Sequence, residues 1–133
     1  MFKKLIERAA AKASLANIKF DLDQLAESFP HNSSRTSNAI FKLLENITLA
    51  FSNNASEAEV EQVLIARSAA FPTVLKEIIT EIFKLIVATR HGDSAAVSAH
   101  DSRINNMFHA STGTYIDITK VPWLSKLALT KVP

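Results

Sequence analysis

Between Pro72 and Gly92 the chain contains neither glycine nor proline. Val74, Leu75, Ile78, Ile79, Ile82, Phe83, Leu85, Ile86 and Val87 crowd this stretch and spread over more than one narrow stripe. A segment this long without a turn signal exceeds a strand, so the pattern predicts a helix over 72–90 packed on several sides. Pro72 suits the first turn of such a helix, and Gly92 suits the left-handed position that ends it. Lys76, Glu77, Glu81 and Lys84 interrupt the apolar run, which excludes a membrane span there. A helix apolar on most sides needs neighbours on most sides. The fold is therefore predicted as all-α, a single compact bundle of five or six helices around 72–90, forming one domain over 1–133. Two glycines and four prolines in 133 residues leave too few turns for a sandwich or barrel. A chain of this length buries roughly 70% of its unfolded surface and needs no metal or disulfide to hold its core.

The neighbours are legible in the same way. Phe2, Leu5, Ile6, Ala9, Ala13 and Ala16 recur at helical spacing, with Lys3, Lys4, Glu7 and Arg8 off the stripe, and predict an amphipathic N-terminal helix. Its small alanines suit close packing against another helix better than insertion into an anionic membrane. A separate short helix is predicted from Asp21, with Leu22, Leu25, Ala26 and Phe29 inward, ending at Pro30. Ser33 or Ser34 caps a third helix whose inner face is Ile40, Leu44, Ile47 and Phe51, widened by Phe41 and Leu43. Ser56 with Glu59 forms a capping box for a fourth, which carries Val60, Val63, Leu64 and Phe71 up to Pro72. Beyond Gly92, Asp93 or Ser94 starts a helix reaching about Phe108. Ser111 to Thr114 reads as a loop, Tyr115 to Val121 as a short extended segment, and Pro122 opens a last short helix.

The chain lacks cysteine, which excludes disulfides, thiolate metal sites and a cysteine nucleophile. Glu7 and Arg8 break the apolar start before a signal sequence can form, so a cytoplasmic protein is expected. Net charge is +2. It divides into basic ends, 1–20 and 102–133, around an acidic middle, which suits contact with an anionic partner or neutralisation within the molecule or a second copy.

Four constellations bear on function. Leu22–Phe29, a break at Pro30-His31-Asn32, then Ser33-Ser34-Arg35-Thr36-Ser37-Asn38-Ala39-Ile40 resembles a helix-turn-helix. The resemblance implies a DNA-binding regulator over 22–44 with Ser34, Arg35 and Asn38 meeting nucleic acid. The competing reading is two bundle helices joined by a capped turn. Arg103-Ile104-Asn105-Asn106-Met107-Phe108-His109 is similar to the Arg and His motif of HEPN ribonucleases, which are also small helical bundles. That resemblance implies RNA cleavage, with His109 moving the 2′-hydroxyl proton and Arg103 stabilising the phosphorane. His91, Asp93, His100 and Asp101 resemble the metal-binding set of HD hydrolases, but His91 and His100 stand too close together for that family, and no metal or cofactor is expected. Finally, residues 110–133 are apolar for a segment with so little regular structure. Tyr115, Ile118, Trp123, Leu124 and Leu127 would either anchor a protein interface or fold back on the domain's own core.

No acid, base and nucleophile converge. The expected function is a non-catalytic regulatory or adaptor-type interaction domain acting through helix faces on a protein partner, a homodimer among them.

Overall fold

The computed structural model describes residues 2–119 and 122–130. Six α-helices make up the described regular structure: α1 Phe2–Ser28, α2 Ser33–Ser52, α3 Glu57–Ser68, α4 Thr73–Arg90, α5 Ser94–Thr112 and α6 Pro122–Ala128. The described residues include no strand. The all-α bundle expected from the sequence is what the chain forms.

The two expected N-terminal helices are instead one, 27 residues long. Nothing between Ala16 and Asp21 is a glycine or proline, so the helix has no reason to stop. Asp21 is accordingly an interior residue and not a cap. It is buried and accepts a hydrogen bond from Asn46 Nδ2 at 2.7 Å. The helix ends where Pro30 demands it, and Asn32 rather than Ser33 or Ser34 caps α2, its side chain accepting from the Arg35 amide at 3.0 Å.

Contacts between α1 and α2 run the length of both. Ser28 meets Thr36 near the turn at 3.0 Å, Asp21 meets Asn46 midway, and Glu7 accepts from Asn54 at the far end at 2.6 Å. The pair is thus an antiparallel hairpin. A second hairpin joins α4 and α5 through the turn at Gly92, whose φ of 72° is the left-handed value expected there. His100 reaches back across it to Glu81 at 2.6 Å. The Ser56 and Glu59 capping box forms as read, with both reciprocal hydrogen bonds at 3.1 Å. Helix α3 packs on α1, α2 and α4, and α6 on α2 and α4.

The core lies between the hairpins. Ile40, Leu43, Leu44 and Ile47 of α2 and Leu75, Ile78, Ile82, Leu85 and Ile86 of α4 belong to one buried cluster. Both helices line it, α2 packing on α1, α3 and α6, and α4 on α3, α5 and α6. Helix α5 runs past the expected end near Phe108 to Thr112, whose hydroxyl donates to the Phe108 carbonyl at 2.7 Å. Gly113, with φ of 81°, stops it.

The C-terminal segment folds back on this core. Asn105 Oδ1 accepts from the Ile116 amide at 2.9 Å, which pins the extended stretch against α5. Ile116, Ile118, Leu124 and Leu127 are all buried. Buried Arg90 then closes the end of the bundle. Its guanidinium donates to Glu57 at 2.7 Å and Thr130 at 2.9 Å and stands 3.9 Å from the centre of the Phe51 ring.

Candidate functional site

Helix α1 carries two apolar stripes. Ala11, Ile18, Leu22 and Leu25 are buried against the bundle. Phe2, Ile6, Ala9, Ala13, Ala16 and Phe20 recur at alternating steps of four and three. At about 100° per residue the second set lies on the face opposite the first. A continuous helix turns only one of them inward. The half after Asp21 has Leu22, Leu25 and Phe29 to bury, and that choice fixes the phase for the whole rod.

The stripe left outside is substantial. Phe2 is 82% exposed, Leu5 62%, Ile6 67% and Phe20 63%, and Ala9, Ala13 and Ala16 between them are exposed too. These four large side chains present roughly 600 Å² of apolar surface, at the upper end of what a monomer's largest patch shows. Among the described residues the other large exposed apolar side chains are Leu49, Ile65, Tyr115 and Leu129, which form no comparable run along one helix.

Charge on the rim has one sign. Glu7 and Arg8 are turned toward the bundle, where Asn54 and Glu59 hold them. The Arg8 guanidinium keeps the Glu59 carboxyl below the usual carboxylate range. Lys3, Lys12 and Lys19 are left exposed beside the stripe. The face is therefore an apolar ridge with cationic edges, ending at Asp23 and Glu27. Asp23 is itself engaged by Arg67, which holds its carboxyl low.

The residues singled out for other chemistry fall elsewhere. Ser34, Arg35 and Asn38 are exposed at the start of α2. Arg35 and Asn38, with Phe20, Asp21 and Gln24, line an open groove of about 400 Å³ between α1 and α2. Arg35 donates to Gln24 at 3.2 Å, and desolvation raises the Asp21 carboxyl above its ordinary value. The two helices of this segment lie side by side throughout instead of crossing steeply near their turn, as a helix-turn-helix pair does.

Arg103 and His109 share helix α5 but not a site. Six residues separate them by about 9 Å along the axis and about 120° around it. Arg103 lies against His100 at 3.2 Å and Glu81 at 3.7 Å, whereas His109 stacks on Tyr115 with ring centres 4.2 Å apart. Of the set His91, Asp93, His100 and Asp101, His91 faces Glu57, Asp93 caps α5, His100 binds Glu81 and Asp101 accepts from Asn105. Among the described residues, no three His, Asp or Glu side chains converge as metal ligands.

Of the residues expected either to anchor a C-terminal interface or to fold back, Ile118, Leu124 and Leu127 are buried in the domain's own core. Burying them satisfies the same apolar demand that suggested a partner. Tyr115 is exposed, and the Trp123 side chain lies outside the described residues, as do Lys120, Val121 and Lys131.

No described helix is long and apolar enough to cross a membrane. No family model, curated protein or solved structure matches the chain.

Proposed function

We propose that this chain is a non-catalytic interaction domain of regulatory or adaptor type, and that the outward face of α1 is its docking element. One observation carries the reading. The bundle buries the inner stripes of its other helices and, in the C-terminal segment, Ile116, Ile118, Leu124 and Leu127, yet leaves a stripe about 27 Å long on its longest helix in water. Exposed apolar area of this size and continuity is what a helix-in-groove or helix-on-helix contact uses. The alanines let another backbone approach closely, and the two phenylalanines are the anchors such contacts centre on.

Photo-crosslinking in cells tests this. A benzophenone analogue of phenylalanine placed at Phe20 should give a discrete adduct on irradiation. The same analogue at Ser102, exposed on α5, should give none. An adduct from both positions or from neither overturns the proposal. Flotation of the purified protein with anionic vesicles would overturn it in favour of membrane-surface binding.

A further inference from the structure

We infer that the partner of the α1 face is a second copy of the same chain, paired antiparallel about a two-fold axis at residue 11. The inference rests on α1 being the docking element and adds what sits on it. Its basis is the order of residues along the exposed stripe. Phe2 and Phe20 are equidistant from residue 11, as are Ile6 and Ala16, and Ala9 and Ala13. An isologous contact requires that residue i meets j while j meets i. Laying a second α1 antiparallel over the first satisfies this at every level. Phe2 meets the partner's Phe20, Ile6 meets the partner's Ala16, and Ala9 meets the partner's Ala13.

Sizes complement in the inner layers as well. Large opposes small at Ile6, and small opposes small at the centre, where Ala9 and Ala13 allow the helix axes to approach to about 8 Å. The alternation of four and three residues is the seam of an antiparallel coiled coil, which keeps the contact in register over five turns. A parallel pair would instead stack Phe2 on the partner's Phe2 and Ile6 on the partner's Ile6, leaving the alanine centre held apart.

The area is sufficient. Roughly 600 Å² from the large side chains, with the alanines and lysine stems, reaches the region of 800 Å² per partner that a stable complex uses. The flanks impose a signature. Lys19 falls beside the partner's Leu5, where its stem covers apolar surface and its ammonium stays in water. Lys12 lies next to the centre, so the two-fold axis brings it near the partner's Lys12. The pair therefore tightens as salt screens this repulsion, whereas attachment to an anionic surface would weaken.

Sedimentation velocity of the full chain from about 1 to 300 µM is the first test, with a monomer–dimer transition expected in the micromolar range. Ala13→Arg, at an exposed position, should leave the circular dichroism spectrum unchanged and weaken association at least about tenfold. Because the chain has no cysteine, orientation is read directly. An oxidised mixture of Ala9→Cys and Ala13→Cys should form the mixed disulfide in preference to either self-linked product. Self-linked Ala9→Cys as the main product would overturn the antiparallel arrangement, and a dimer indifferent to Ala13→Arg would overturn the surface. A monomer at every concentration overturns self-pairing. If the Phe20 adduct then proves to hold a different protein, the docking role of α1 survives that failure. If no adduct forms, both fall.

Discussion

Arg90 and Glu57 are linked asymmetrically, and removing either should reveal it. Arg90 is the last residue of α4, with its side chain 1% exposed, while Glu57 in the first turn of α3 keeps 27% of its side chain in contact with solvent. Each charge suits its helix terminus. Glu57→Ala removes the carboxylate from a guanidinium that water does not reach, although Thr130 and the Phe51 ring still contact it. Removing one member of a buried ion pair costs about 3–5 kcal/mol. Arg90→Met keeps an apolar stem against Phe51 and leaves a carboxylate that water still reaches. The losses include the hydrogen bonds to Glu57 and Thr130 and a cation–π contact, about 2–4 kcal/mol together after screening of the partly exposed partner. The double variant should cost less than Glu57→Ala alone, because neither charge of the pair remains. Urea unfolding followed at 222 nm measures all three, and the m-value checks that only stability has changed. A cost for Glu57→Ala below about 1 kcal/mol, or one smaller than that of Arg90→Met, would refute the argument that burial of the guanidinium decides the balance.

Ile82 is fully buried at the centre of α4, so Ile82→Ala should cost about 2–5 kcal/mol in the same assay. Burial raises the Asp21 carboxyl above its unfolded value, so ionising it opposes folding once pH exceeds the unfolded pKa. Asp21→Asn should therefore stabilise the domain at pH 7, and the gain should vanish below about pH 4, where both states are protonated. Thermal melts at the two pH values check the sign. Deleting 114–133 removes buried Ile116, Ile118, Leu124 and Leu127 together with the Thr130 contact to Arg90. The truncated chain should lose cooperative unfolding or aggregate, and a well-folded truncated monomer would contradict the packing of this segment.

Local chemistry explains which parts were legible from residues alone. The capping box at Ser56 and Glu59, the stop at Pro30 and the left-handed turn at Gly92 each depend on a few neighbouring residues, and all three form as read. The apolar faces of α2 and α4 were equally plain, because each helix has one broad face and no rival. The long-range ion pairs left no such signal. Arg90 and Glu57 stand 33 residues apart, and only the fold brings them together. The site was half visible. The stripe from Phe2 to Ala16 could be read from its spacing, and its alanines pointed to close helix packing. Phe20 was missed, because ending the helix early hid the symmetry that its continuation completes.

What the sequence by itself determined is the set of amphipathic rods and their ends, since hydrogen bonding within a turn and the fit of proline and glycine are settled locally. Which face of α1 turns inward was decided only by tertiary structure. Two opposed stripes on one rod are equivalent to any local rule, and Leu22, Leu25 and Phe29 tip the balance by meeting the rest of the core. The same holds for the C-terminal segment. Its apolar residues demand cover in either reading, and the space between α2, α4 and α5 supplies it from within the chain.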